Sequence, residues 1–299
     1  DRIQDKTGYG IWLHGRDESD TDKTATNGCV AFDNQGLNHL KGMLEVGTPV
    51  VITKQARFLD PAAYDQRRQV LLGTLHDFLA AWENSDFSAF ARYLHDNFRS
   101  GSGEGRQAFL QGKRKLMEVY PEREVDADHI RIFRENGQRV VYDFNQFYCA
   151  PNITAYGRKR LYFKRHNGQM RLLAEEFFPR SAWPEIRDRI DGFVEDWRAA
   201  WQGEDLDGYL DHYGAGFEHR GRDKAAFRAY KERIFARRED MHVAVKNLRI
   251  HQVRPNHYVV GFDQRFDSAG YSDYGVKRLE LAGCPGNLRI VGETWRPLP

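Results

Sequence analysis

A duplication constrains this chain more than any other feature. Residues 144–179 set against 262–297, at an offset of 118 and without a gap, share Phe144/Phe262, Gln146/Gln264, Tyr156/Tyr274, Gly157/Gly275, Lys159/Lys277, Arg160/Arg278 and Leu161/Leu279. The identities continue at Gly168/Gly286, Arg171/Arg289, Glu175/Glu293 and Pro179/Pro297. Upstream, at an offset of 118 or 119, Ala80-Ala81-Trp82 matches Ala199-Ala200-Trp201, Asp86 matches Asp205, Phe98 matches Phe217 and Phe109 matches Phe227. A period of about 115–120 residues is too long for solenoid units, which run about 20–50, so each copy is a domain.

Each copy opens with an amphipathic helix: Leu71, Leu75, Phe78, Leu79 and Trp82 in the first, Ile190, Phe193, Val194, Trp197 and Trp201 in the second, all at helical spacing. Short helices over 86–94 and 205–213 follow, each opened by an aspartate suited to the N-cap. Charged helices over 106–119 and 223–237 come third. Strand-like runs over 130–134, 139–148, 156–165 and 170–178 close the first copy, with turn signals at Asn136-Gly137 and Asn167-Gly168. Helices first and a strand meander after them predict an α+β fold, an antiparallel sheet curled around a helix. That order, with Trp ending the first helix and Glu-x-x-Trp/Phe-x-Pro at the end, resembles the nuclear-transport-factor-2-like (SnoaL-like, cone-shaped) fold. The resemblance implies domains over 62–180 and 181–299. The fold hosts isomerases, dehydratases and plain binding or dimerisation modules, so function has to come from a site.

With 45 basic against 43 acidic residues the net charge is only +2, which speaks against a nucleic-acid binder with a basic face. No apolar run reaches the roughly 18–20 residues that span a bilayer, so no transmembrane segment is expected. The chain starts at Asp1 with a strand-like stretch close behind, and is read as a piece of a longer precursor with a signal peptide upstream. Cys29, Cys149 and Cys284 are its three cysteines, too few for a disulfide framework, and an odd count leaves at least one thiol.

Residues 1–54 belong to neither copy, and 55–61 read as a linker. They suggest a strand over 9–14, a polar loop over 15–27, a Gly-Cys turn, a helix over 34–45 with Leu37, Leu40, Met43 and Leu44 on one face, and a strand over 49–53. His14-Gly15 ends the first strand, and Cys29 follows Thr26-Asn27-Gly28 fifteen residues later. A thiol attacks as its thiolate, so a nucleophilic cysteine needs a base that takes the proton and later returns it to the leaving amine. Amides near the cysteine can form an oxyanion hole.

Gly10-Ile11-Trp12-Leu13-His14-Gly15, Thr26-Asn27-Gly28-Cys29-Val30, Asp33, Leu37 and Gly47-Thr48-Pro49-Val50-Val51-Ile52 resemble the C-terminal half of an L,D-transpeptidase catalytic domain (YkuD type). The resemblance implies Cys29 as acyl-forming nucleophile, His14 as its base and acid, and the Gly15 carbonyl as the group orienting the imidazole. Gly28 and Cys29 would offer oxyanion amides, with Asn27 and with Thr26 at the Ser/Thr position completing the substrate-binding motif. Asn27 stands where many members have a second histidine, and Ala31 where many have Arg or Asn. Both departures resemble the cell-shape-determining L,D-carboxypeptidases, which also carry a C-terminal nuclear-transport-factor-2-like domain. The implied partners are peptidoglycan stem peptides, cut between the third residue, typically meso-diaminopimelate, and D-alanine, in the periplasm. The family's domain is about twice the length of 1–54, so this stretch is read as its C-terminal part.

Other residues are read more plainly. Cys149 and Cys284 fall at different repeat positions and are taken as incidental. Lys159-Arg160 and Lys277-Arg278 could face an anionic group, but alternate strand residues face solvent, which is the favoured reading. Trp82, Trp197 and Trp201 sit at core spacing. His212, His219, His242, His251 and His257 show no metal-ligand spacing, and no metal or cofactor is implied. A small-molecule enzyme in a repeat pocket would need an acid–base pair, and none is named: Asp143 faces Gly261 in the alignment, and Glu175/Glu293 suit a structural role. The rival to the enzyme is a binding or homodimerisation module built on the two copies.

Overall fold

The computed structural model describes residues 11–16, 28–44, 48, 50, 59–135, 138–237 and 240–298. The chain divides into two compact units, Asp1–Arg67 and Arg68–Pro299. In the first, β1 (Leu13–His14) pairs in parallel with β2 (Val30–Ala31). Helix α1 (Asn34–Lys41) follows, capped by the Asp33 carboxylate, which accepts from the Gly36 amide at 2.7 Å. No residue of α1 is buried, and Met43 and Leu44 just beyond it are exposed. The strand expected over 49–53 lies outside the described residues except Val50.

The second unit holds both copies, with the mixed α+β build expected. In the first copy, α2 (Pro61–Glu83) buries Leu75, Phe78, Leu79 and Trp82, one stripe of a 3.6-residue period. Next come α3 (Phe87–Tyr93), capped by Asp86, β3 (Leu94–Ser100) and α4 (Arg106–Val119). Strands β4 (Glu124–Glu135), β5 (Arg139–Ala150), β6 (Ile153–His166) and β7 (Gln169–Arg180) then run as an antiparallel meander. The sheet order is β3-β7-β6-β5-β4, β3 joining parallel to β7. The second copy repeats the plan with α5 (Trp183–Gln202), α6 (Leu206–Asp211), β8 (Glu218–His219), β9 (Arg222–Asp223) and α7 (Lys224–Phe235). The sheet β10 (His242–Arg254), β11 (His257–Ser268), β12 (Tyr271–Ala282) and β13 (Arg289–Pro297) follows in that order.

Gly157 and Gly275 explain one repeated pair. A Cβ on either would stand 2.3 Å from a carbonyl of the next strand, Phe178 O or Arg296 O, so β6 and β12 approach their neighbours at a distance only glycine allows.

The two sheets differ on their outer faces. Along β11 burial alternates strictly up to Gln264, whereas β5 is buried on both sides over much of its length. Phe147 and Cys149 point out of the first sheet yet belong to the second copy's core, with Ile186 and Ile190 of α5. Their alignment partners are Arg265 and Asp267, which pair with each other at 2.8 Å. A strand covered on both faces needs apolar residues at both parities, and one facing water needs polar ones at every second position. The second copy therefore sits on the outer face of the first sheet. Arg189 of α5 reaches Asp126 at 2.7 Å and also pairs with Glu124, while lying over the Phe147 ring at 4.1 Å.

Cys149 and Cys284 form a disulfide across this junction. That corrects their reading as incidental: unequal repeat positions are what a bond between two copies stacked front to back requires.

Candidate active site and a cavity in the second copy

In the first unit the ladder pairs Leu13 with Val30 and His14 with Ala31, and the Val30 amide donates to the Trp12 carbonyl at 2.9 Å. Cys29 immediately precedes β2, two residues before the Ala31 that stands opposite His14. The His14 Nδ1 lies 2.7 Å from the Gly15 carbonyl oxygen. A carbonyl only accepts, so Nδ1 carries the proton, and in the neutral ring the lone pair is on Nε2. Gly28 adopts φ +94°, a left-handed conformation that suits glycine, immediately before the cysteine. Gly15 has its own constraint, since a Cβ there would stand 2.2 Å from the Asn34 side-chain oxygen. His14 is exposed and Cys29 half-buried. His14 and Gly15 thus lie at the end of β1, and Gly28 and Cys29 just before its partner β2, while Thr26 and Asn27 lie outside the described residues.

The second unit holds charge that sequence reasoning put in solvent. Lys159 and Lys277 are 4 % and 5 % exposed. The inward-curling sheet turns these positions into the cone, and each lysine pairs with the glutamate of its own copy: Lys159–Glu175 at 2.7 Å and Lys277–Glu293 at 3.4 Å. A second lysine completes each set, the half-buried Lys113 and the buried Lys231, at the same offset of 118. Burial, only partly offset by the glutamates, pushes both down to about 8. Burial pulls Glu175 and Glu293 the other way, but the paired lysines outweigh it and hold both carboxyls below the usual range. The Lys113 ammonium stands 4.1 Å over Trp82, and that of Lys231 4.7 Å over Trp201.

Beyond this shared set the copies diverge. In the second, Tyr213 donates to Glu293 at 2.9 Å, stands 2.6 Å from the Tyr209 hydroxyl and accepts from the Trp197 indole at 3.2 Å. The aligned residues of the first copy, Leu94, Phe90 and Phe78, carry no polar group. His219 lies 3.8 Å from the Glu293 carboxylate; burial lowers its pKa, with Lys277 and Arg220 adding to it against Glu293. A cavity of about 290 Å³ opens onto His219, Lys231, Lys277, Glu293, Asp273 and Trp295. The buried Gln264 Oε1, Asp273 Oδ1 and Trp201 Nε1 beside it have no hydrogen-bond partner. Glu293 thus lines the cavity as a buried carboxylate held charged by Lys277 and Lys231. Its sequence signal was the repeated Glu, with Lys231 at the repeat offset.

Residues 70–176 and 189–294 each match the family model of the Cds6 C-terminal NTF2-like domain. Residues 1–52 match that of the L,D-transpeptidase catalytic domain. No curated protein matches the chain. Among solved structures, Bd1075 of Bdellovibrio bacteriovorus is 25 % identical, with a TM-score of 0.56, over 60 % of this chain and 65 % of its own. The helical cell shape determining protein Pgp2 of Campylobacter jejuni is 25 % identical over 58 % of this chain and 63 % of its own, with a TM-score of 0.47. An NTF2-like protein of Cytophaga hutchinsonii is 19 % identical over 38 % of this chain and 98 % of its own, with a TM-score of 0.34. The chain therefore spans just under two thirds of the length of Bd1075 and of Pgp2. Matched twice, and over more than half of its length, the chain belongs to the family of the Cds6 C-terminal NTF2-like domain.

Proposed function

We propose that this chain is part of a peptidoglycan-modifying cysteine enzyme, an L,D-carboxypeptidase or L,D-transpeptidase acting outside the cytoplasm on the stem tetrapeptide. The observation that supports the reading is the pairing of β1 with β2, in which His14, its Nδ1 2.7 Å from the Gly15 carbonyl, stands opposite Ala31, two residues after Cys29. In this reading the Nε2 lone pair takes the Cys29 proton. The sulfur then adds to the carbonyl of the third stem residue, and the amides of Gly28 and Cys29 receive the oxyanion. The imidazolium returns its proton to the departing D-alanine amine, and water resolves the thioester to a tripeptide acid. An amine in place of water gives transpeptidation; the likeness to the cell-shape subgroup favours water. The match of 1–52 to the L,D-transpeptidase domain supports the reaction class. The disulfide supports an oxidising compartment. The division that goes with it is a catalytic segment over 1–54, a linker over 55–61 and copies over 62–180 and 181–299. Tetrapeptide muropeptides incubated with the full-length protein should lose D-alanine, and Cys29→Ala should not release it; equal trimming by both sinks the reading.

A second reading treats the two copies as a binding module. The second cone favours it, because a buried Lys/Glu set open to a cavity, with unpartnered amide, carboxylate and indole atoms beside it, suits a polar ligand. Binding of muropeptides by residues 68–299 alone, lost in Lys277→Met, would support it; no binding would remove it. The stacked copies also bear on dimerisation: the first sheet's outer face is occupied within the chain, so a homodimer would have to use another surface.

A further inference from the structure

We propose that the cavity of the second copy receives the zwitterionic end of its ligand, an ammonium bound by Asp273 and Gln264 beside a carboxylate met by Arg220, and so selects stem peptides that are not cross-linked. This rests on the binding reading given above and names the group that is recognised. Asp273 stands on β12 in the row of Gly275 and Lys277, opposite Phe266 of β11. Gln264 stands opposite Gly275, the next pair along on the same face. Both line the cavity of about 290 Å³. Gln264 is 2 % exposed, and its Oε1 has no hydrogen-bond partner. Asp273 accepts from the Tyr271 hydroxyl through Oδ2 at 3.0 Å, while its Oδ1 is buried without a partner. A buried acceptor left unpaired costs free energy that a bound donor recovers. Two such acceptors on one wall, one of them a carboxylate oxygen, suit an ammonium, which carries three donors and a charge.

The cavity's lysines are engaged elsewhere, Lys277 with Glu293 at 3.4 Å and Lys231 over the rings of Trp201, Tyr209 and Phe227. Arg220, exposed in the left-handed turn between β8 and β9 at φ 50°, lines the same cavity and supplies a cation for a carboxylate. The first copy isolates what is particular to the second. Gln146, the repeat partner of Gln264, is 4 % exposed and also has an unpartnered Oε1. Position 155, the partner of Asp273, is alanine. The amide acceptor is common to both copies, and the carboxylate belongs to the second alone. A cavity of this size takes an end group rather than a whole muropeptide. The side chain of meso-diaminopimelate ends in such a group, with an ammonium and a carboxylate on one carbon. In a cross-linked stem that nitrogen is acylated, and it loses its charge and two of its three protons.

The test is isothermal titration calorimetry at pH 7 on full-length protein carrying Cys29→Ala, so that no thioester forms. The probes are a tripeptide muropeptide ending in meso-diaminopimelate and the same compound acetylated at the side-chain amine. The free amine should bind at least about tenfold more tightly, the loss expected when a hydrogen bond to a charged group is removed. Adding Asp273→Asn should abolish the difference by weakening the free-amine probe alone. Should that variant not fold, the two probes on the unaltered cavity still decide. Equal affinity for both probes, or a preference that survives Asp273→Asn, would overturn the proposal and leave the binding reading standing. Binding of neither probe would remove both.

Discussion

Replacing Lys231 by methionine isolates what a buried ammonium costs the second copy. Lys231 is 6 % exposed, and burial drives its pKa from 10.5 to about 8 against the pull of Glu293. At about 1.4 kcal/mol per pKa unit, keeping the protonated form inside disfavours folding by roughly 3 kcal/mol at pH 7. The rings of Trp201, Tyr209 and Phe227, whose centroids lie 4.7, 4.9 and 5.3 Å from Nζ, return part of this. At roughly 1–2 kcal/mol for a desolvated cation–π contact, the net penalty is about 1–2 kcal/mol. Methionine fills similar space without the charge, so Lys231→Met should be more stable by about that amount at pH 7. For a base whose folded pKa is lowered, the penalty is complete below the folded value and disappears as pH rises towards the unfolded one. The gain should therefore shrink above pH 8 and vanish near 10.5. Urea unfolding followed by tryptophan fluorescence at pH 7, 8, 9 and 10 measures it. A variant less stable than wild type by more than about 1 kcal/mol at pH 7, or a gain flat across the series, would refute the reasoning. A confirmed gain would mean that the lysine is kept for something other than stability, as at many functional sites.

Glu293→Gln removes the charge that faces Lys277 and Lys231, and should cost about 3 kcal/mol at pH 7 in the same urea assay. Glu293 is an acid with a lowered folded pKa, so its contribution is present above about 4.5 and is lost as pH falls through the folded value; wild type and variant should converge in acid. Gly157→Ala and Gly275→Ala each press a Cβ into a neighbouring carbonyl, and each should lose about 1–3 kcal/mol, read as a lower melting temperature. Gly28→Ala forces a side chain into a left-handed conformation beside Cys29. D-alanine release by the full-length protein should fall at least about tenfold while the melting of residues 68–299 is unchanged.

Much of the fold was legible because it rests on periodicity. The stripe through Leu75, Phe78, Leu79 and Trp82 and the aspartates at 86 and 205 located helices and their starts, since one face must be apolar and the first amides need a cap. Strand β3 was missed because Leu94–Ser100 has no apolar alternation; it is held by pairing with β7, a contact that no local pattern announces. Strand β4 begins at Glu124 rather than 130; there Glu124, Asp126 and Asp128 alternate with Val125 and Ala127, a period of two that was legible but passed over. Lys159 and Lys277 misled because a lysine on a strand is usually solvated, and only the curl of the sheet shows which face closes into a cone. The disulfide could not be read from spacing, as it joins different positions of two copies. Its neighbourhood could: Phe147 and Cys149 against Arg265 and Asp267 already says that one outer face is covered and the other wet. At the first site the motif gave His14, Gly15, Gly28 and Cys29 in order, and the ladder adds that His14 stands opposite Ala31, two residues after Cys29.

The most direct test of the central proposal is mass spectrometry of full-length protein mixed with a tetrapeptide muropeptide. The expected result is D-alanine and tripeptide product, with a transient thioester adduct on the peptide containing Cys29. Cys29→Ala should lose both the adduct and the product, and His14→Ala should lose product formation. Tetrapeptide left intact by the wild type, or trimmed equally by Cys29→Ala, would contradict it.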